Sequence, residues 1–357
     1  MSHGGDIFEK KIIYDFSVSL NPMGTPSEVM DVLKKSLEKI TEYPDLKQRR
    51  LKKAISAAEG CTVDEVLGGN GSSGIFPAIA QMIKPETVLM ISPCFSGYEY
   101  AVATINNCRI IYCPEREIET LPDRIDYYPD MVIIANPNNP TGQNIDEKLL
   151  LRIVEKCEEA GSCIVVDECF LPLSNCQHSL ASLATGCRNL FVVKAFTKSF
   201  AIPGIRIGYV ISSAENIDKL AAYIPEWDLS VPAIEAGIAC AGIMKNTDFL
   251  KRSCLLVKKE RDYLEKNLSE QGFEVKPSDT CYIMFRGRYD LYDRLLDKGI
   301  LVRECSDFRG LNKGWYRIAI KDHEANLKMI NIIKSLTEKD MIDKEHNGGV
   351  QRKEGKA

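Results

Sequence analysis

The chain has 357 residues, 45% of them apolar and 27% charged, and a formal net charge of −4. That length supports a large core and two domains, and the mild acidity gives no electrostatic reason to expect nucleic acid or an anionic membrane as a partner. The apolar runs are strand-sized, which excludes a transmembrane helix, and the opening MSHGGDIFEK lacks the hydrophobic segment of a secretory signal.

The first clear element opens at TPSEVMDVLKKSLEKI, residues 25–40. Thr25 is placed to cap it, Pro26 suits the first helical position and Glu28 completes a capping box. Val29, Leu33, Leu37 and Ile40 form its apolar stripe. A polar EYPDLKQRRL follows, then a second helical stretch to about Gly60. From there TVLMIS, MVIIAN, SCIVVDE, LFVVKAF and IGYVIS are short continuous apolar runs. Between several of them lie helical segments, GIFPAIAQMI and DEKLLLRIVEKCEEAG, the latter stopped by Gly161. Strands apolar on both faces that alternate with amphipathic helices predict a mostly parallel α/β sheet covered on both sides. Ligands of such sheets bind outside the carboxyl ends of the strands. After Ser230-Val231-Pro232 the pattern is helical to about Gly272. FEVKPSDTCYIMFR, GILVREC and WYRIAI then read as strands, with a helix at LYDRLLDKG, which makes a smaller α+β domain. The polar, aperiodic end from about Glu338 reads as a disordered tail.

Thirteen cysteines are scattered singly with no C-x-x-C pair, which reads as reduced thiols in a cytoplasmic protein. Four histidines, none in ligand spacing with a cysteine, give no reason to expect a metal site.

Four groups at strand ends or turns carry chemistry. In VLGGNGSSGIFPAIA a glycine-rich turn leads into a helix, where Gly71 admits a close backbone approach and the amides of Ser72, Ser73 and Gly74 face an anion. ANPNNPTG, residues 135–142, is an irregular turn directly after an apolar run. Asp167 closes SCIVVD, and an acid ending a buried strand is costly without a cation. In VVKAFTKSFAIPGIRIGYVIS, residues 192–212, Lys198 and Arg206 stand between two apolar runs. A lysine at the mouth of an apolar site has a lowered pKa and an amine free for imine formation, and an arginine suits a phosphate. A ligand with a phosphate, a basic ring nitrogen and an aldehyde uses all four groups, and pyridoxal 5′-phosphate has those features.

Asn-Pro-x-Asn-Pro-Thr-Gly, Asp-Glu-x-Phe and Thr-Lys-x-x-x-x-x-Gly-x-Arg, in that order, resemble the fold-type I pyridoxal-phosphate enzymes in the branch of histidinol-phosphate aminotransferase. The resemblance covers roughly residues 3–335 and implies a large domain with a mostly parallel seven-stranded sheet and a smaller α+β domain. In domain terms it implies an N-terminal segment over residues 1–40, a cofactor domain over 41–235, a small domain over 236–337 and a tail over 338–357. It implies Lys198 as the lysine that carries the cofactor, Asp167 as partner of the ring nitrogen and Asn139 as partner of the ring hydroxyl. It places Phe95 and Phe170 against the cofactor and Gly71, Ser72, Thr197 and Arg206 around its phosphate. Tyr43 resembles the tyrosine that reaches the neighbouring subunit's cofactor, which implies a homodimer.

Within that branch three stretches are most similar to the L-threonine-O-3-phosphate decarboxylases of cobalamin biosynthesis: HGGDIFEKKIIYDFSVSLNPMG, EWDLSVPAIEAG and GILVRECSDFRGLNKGWYRIAI. The resemblance implies decarboxylation of threonine phosphate to (R)-1-aminopropan-2-yl phosphate, with O-phospho-L-serine as an alternative substrate and an aminotransferase of histidinol-phosphate type as the alternative activity. It implies His3, Asn21 and Arg303 at the substrate phosphate and Arg317 at the substrate carboxylate or phosphate. Ser19 departs from the family pattern, standing where an asparagine is usual.

Overall fold

The computed structural model describes residues 4–8, 11–124, 129–175 and 178–350. Strand β1 (Tyr14–Asp15) belongs to the N-terminal segment. The strands of the large sheet follow as β2 (Val66–Asn70), β3 (Thr87–Ser92), β4 (Arg109–Pro114), β5 (Met131–Ala135), β6 (Cys163–Asp167), β7 (Leu190–Ala195) and β8 (Ile207–Ile211). They lie in the order β2-β8-β7-β6-β5-β3-β4, and β8 alone runs against its neighbours.

The continuous apolar runs are explained by two covers. Val132 and Ile134 of β5, Ile164 and Val166 of β6, and Leu190 and Val192 of β7 enter one core. Their alternates Met131, Ile133, Cys163, Val165, Phe191 and Val193 enter the other, on the opposite face. Each such side chain contributes roughly 1.5–3 kcal/mol on burial. The helices between the strands supply the covers. Helix Glu147–Ala160 starts on the Asp146 carboxylate, which accepts from the amides of Lys148 and Leu149, and stops at Gly161 with φ +73°.

The alternation has one consequence for the site. Asp167 and Glu168 are consecutive, so their carboxylates leave on opposite faces of the sheet. Glu168 faces a buried ionic cluster: Lys194 Nζ lies 2.7 Å from Glu59 Oε2 and 3.7 Å from Glu168 Oε2. Ser179 Oγ and the Leu180 amide donate to Glu168 at 2.5 and 2.7 Å, and the Tyr209 hydroxyl donates to Glu59 at 2.5 Å. Burial pushes the Glu168 carboxyl up, and Lys194 opposes it.

The second lobe holds β9 (Glu274–Lys276), β10 (Tyr282–Arg286), β11 (Ile300–Leu301), β12 (Arg303–Glu304) and β13 (Trp315–Ala319). Four of these form an antiparallel sheet in the order β12-β13-β10-β9, while β11 leaves it to pair in parallel with β1. FEVKPSDTCYIMFR therefore makes two strands, β9 and β10, joined by a turn from Pro277, and GILVREC is split between two sheets. Helices Phe249–Glu270 and His323–Val350 pack beside this lobe, whose core also takes Phe16 from the N-terminal segment; the second helix continues past Glu338 to Val350, where the sequence reads as a disordered tail.

Two local expectations are corrected. Helix Ser27–Ser36 has Pro26 at its cap with no side-chain cap bond, because the Thr25 hydroxyl donates to the Ala201 carbonyl at 3.0 Å. VLGGN, read as part of a turn, is the edge strand β2: the glycines are needed because side chains of Leu51, Ile75 and Leu229 crowd the strand where a Cβ would stand.

Lys194→Met leaves two buried carboxylates without their cation. It lowers unfolding free energy by about 3–5 kcal/mol in a urea titration, and Lys194→Arg restores most of it. A loss within the range of an exposed pair, below about 1 kcal/mol, would contradict the assignment.

Candidate active site

The carboxyl ends of β6 and β7 bring Asp167 and Lys198 together. Lys198 lies in the helical turn Phe196–Ser199 that directly follows β7, and β6 and β7 pair in parallel with Asp167 opposite Val193. The Asp167 carboxylate accepts the Tyr98 hydroxyl at 2.6 Å on Oδ2 and the Cys169 amide at 2.9 Å on Oδ1. Burial pushes its carboxyl up; those donors and the nearby Lys198 pull it back. Among the described residues no cation forms an ion pair with it, since the buried Lys194 is committed on the other face. The site thus holds a half-buried, hydrogen-bonded acid lacking only a cation among the described residues.

Burial pulls the Lys198 amine below its ordinary value, and Arg317 and then Arg206 add to the pull. Among the described residues its Nζ makes no ion pair; it lies 5.6 Å from the centre of the Phe170 ring. Phe170 stands edge-on to Tyr282 at 4.9 Å. Phe95 folds over Gly97, where a Cβ would meet its ring at 2.2 Å, and stands edge-on to Tyr98 at 5.6 Å.

A second corner is built at the start of helix Ser72–Ile83, whose first amides have no partner inside the helix. Gly71 has φ +67°, and a Cβ there would lie 2.6 Å from Arg206 Nη2. A Cβ on Gly208 of β8 would lie 2.7 Å from the Ser72 nitrogen, so both glycines are required for the close approach. Arg206 donates to Ser73 Oγ at 2.8 Å and to the Pro203 carbonyl at 3.1 Å. Thr197 is buried directly before Lys198.

The third corner comes from the small lobe and the N-terminal segment. Arg317 on β13 is buried; its Nη1 donates to Asn139 Oδ1 and its Nη2 to the Ser17 carbonyl at 3.2 Å. Its Nε has no partner among the described residues. The neighbouring turn is otherwise occupied with itself: Asn136 accepts the Ile145 amide, and Asn138 donates to Pro93, Glu115 and Thr141. Asn139 is the asparagine of ANPNNPTG that reaches Arg317. Arg303 on β12 sits directly opposite Arg317 in the antiparallel register. It donates from Nη2 to both Asp307 oxygens, at 2.7 and 2.9 Å.

Three further sequence candidates have different surroundings. Asn21 is buried, its amide donating to the Ser199 carbonyl at 2.8 Å and to Ser253 Oγ at 2.7 Å, while its main-chain nitrogen donates to the Lys198 carbonyl at 3.0 Å. Its side chain is thus already engaged beneath the Lys198 turn. Tyr43 is 83% exposed and packs on Trp227 with ring centres 5.0 Å apart. His3 lies outside the described residues. Sequence reasoning missed Tyr98, although its place one helical turn after Phe95 is a usable signal. It also missed Cys169, whose amide holds Asp167, and Asp307. Ser19 is buried with its hydroxyl unpartnered among the described residues.

The sequence matches the family described as aminotransferase class I and II over residues 11–333. The chain belongs to that family. It is 31% identical to a provisionally named threonine-phosphate decarboxylase of Caldanaerobacter subterraneus, over 96% of both chains. It is 26% identical to the threonine-phosphate decarboxylase of Salmonella typhimurium, over 94% of this chain and 96% of that one. Among solved structures, the histidinol-phosphate aminotransferase of Clostridium acetobutylicum superposes with a TM-score of 0.83 at 30% identity, covering 92% of this chain and 100% of that one. This is a pyridoxal-phosphate-dependent family, and the residues fit the cofactor. The acid without a cation suits a protonated ring nitrogen, the glycine cradle under Arg206 suits a phosphate, and the Lys198 amine, its pKa lowered by burial, suits an aldehyde.

Because Arg317 lowers the Lys198 pKa by like-charge repulsion, Arg317→Met raises it. The neutral, reactive amine then appears at higher pH. In cofactor-free protein, the pH profile of Lys198 acetylation followed by peptide mass spectrometry moves to higher pH in the variant; a profile that stays or moves down would contradict this electrostatic account.

Proposed function

We propose that this enzyme decarboxylates a phosphorylated β-hydroxy amino acid, L-threonine O-3-phosphate, to (R)-1-aminopropan-2-yl phosphate for cobalamin assembly, working as a cytoplasmic homodimer. The observation that carries this reading is the pair of opposed arginines Arg303 and Arg317, the second close enough to Lys198 to lower its pKa, because the substrate brings two anionic groups, a carboxylate and a phosphate. The names of the Caldanaerobacter and Salmonella relatives support it.

When bound, pyridoxal phosphate supplies an electron sink for the pair left at Cα when a bond to it breaks. In this reading Asp167, steadied by Tyr98, keeps the ring nitrogen protonated. Gly71, Ser72, Thr197 and Arg206 hold the cofactor phosphate, Phe95 and Phe170 fix the ring, and Asn139 meets its hydroxyl while also orienting Arg317. Arg303 and Arg317 would bind the substrate anions and so orient the bond at Cα that is to break. Lys198, drawn toward the neutral amine by its surroundings, returns a proton to Cα once carbon dioxide has left. Tyr43, exposed in one chain, reaches the site of a second copy. The second reading, an aminotransferase of histidinol-phosphate type, is favoured by the 30% identity to the Clostridium structure; there the same lysine moves the Cα proton instead.

Holoenzyme given L-threonine phosphate and no 2-oxo acid releases carbon dioxide. Lys198→Ala removes the visible absorbance of the bound cofactor and lowers turnover by at least roughly 10²–10⁴-fold. Turnover that depends on 2-oxoglutarate and yields glutamate would replace this reading with the aminotransferase.

A further inference from the structure

The facing arginines are not equivalent. Among the described residues Arg317 Nε has no partner, and the other two nitrogens meet neutral oxygens, of Asn139 and Ser17. Arg303 already carries an anion: both Asp307 oxygens accept from its Nη2, and its guanidinium lies 4.9 Å from the centre of the Phe308 ring. The Arg303 side chain is 7% exposed and that of Asp307 30% exposed, so the carboxylate stands at the wet side of a buried cation.

The turn that presents Asp307 is held from both sides. Glu304 accepts the Ser306 amide and hydroxyl at 3.1 and 2.6 Å. Beyond the turn, the Arg309 guanidinium lies 4.1 Å over the Tyr112 ring, its Nε stands 3.6 Å from Glu99, and its carbonyl accepts the Ser92 hydroxyl at 2.9 Å. The ion pair is thus built into a loop fastened to the edge of the large sheet.

We propose that Asp307 is a built-in competitor for Arg303, a carboxylate that an anionic ligand must displace to bind. The inference rests on the reading above that the Arg303–Arg317 pair receives the substrate anions. Arg303, Arg317 and Asp307 together bring two guanidinium charges and one carboxylate to this corner. A monoanion that displaces Asp307 exchanges one carboxylate for another and gains little. A phosphate dianion that spans Arg303 and Arg317 gains a second charge-assisted contact and outcompetes it. Asp307 also compensates the buried Arg303 charge when no ligand is present.

The test titrates holoenzyme calorimetrically with inorganic phosphate and with acetate. Holoenzyme is used because the cofactor's phosphate then fills the corner at Gly71. Asp307→Asn binds phosphate on the order of tenfold more tightly, and acetate gains as well, because both must displace the same carboxylate. Asp307→Glu keeps the wild-type affinities, and adding Arg303→Met to Asp307→Asn cancels the gain. Phosphate binding that is unchanged or weaker in Asp307→Asn would overturn the proposal and make Asp307 a strut for Arg303. A wild-type enzyme that is inactive on threonine phosphate, alongside tightened phosphate binding in Asp307→Asn, would overturn the substrate reading alone.

Discussion

Everything at this site depends on a half-buried acid that the described residues leave without a cation. Asp167 closes β6, takes hydrogen bonds from Tyr98 and the Cys169 amide, and meets no ion-pair partner among the described residues. A carboxylate in that position is destabilising unless something positive is brought to it. The chain has a buried lysine nearby, but the two-residue repeat of the sheet places Lys194 on the other face, where Glu59 and Glu168 hold it. The positive charge that Asp167 lacks is therefore left for a ligand, and in the proposed reading the ring nitrogen of the family's cofactor would supply it.

The same sheet explains why Lys198 is adjustable. It follows β7, so the parallel pairing that aligns Asp167 with Val193 also delivers the lysine to the same edge. The remaining walls come from far along the chain. Ser17 in the N-terminal segment accepts from Arg317 in the small lobe, and the Asn21 amide nitrogen grips the Lys198 carbonyl. Three separate parts of the chain thus meet at one amine, and burial together with two arginines lowers its pKa.

Much of this arrangement was legible in the residues, for physical reasons. Strands buried on both faces have no polar positions to interrupt them, so MVIIA, CIVVD and LFVVKA stand out and their last residues mark the ligand edge. What escaped was decided by packing. VLGGN looked like a turn because glycine usually weakens a strand, yet these glycines serve the close approach of neighbouring side chains. Thr25 looked like a cap, but a carbonyl from Ala201 took its hydroxyl. Tyr98, for which only its spacing after Phe95 is a signal, and Asp307 matter through a partner 69 residues or 4 residues away, Asp167 and Arg303. Asn21 is the converse case, a candidate whose amide is already engaged by Ser199 and Ser253.

The central claim is that Lys198, across from an acid awaiting a cation, is the amine that carries the cofactor. Borohydride reduction of the holoenzyme followed by peptide mapping tests it most directly. The account predicts a phosphopyridoxyl group on the peptide containing Lys198 and on no other. Label on Lys194 or on a surface lysine, with Lys198 unmodified, would contradict it.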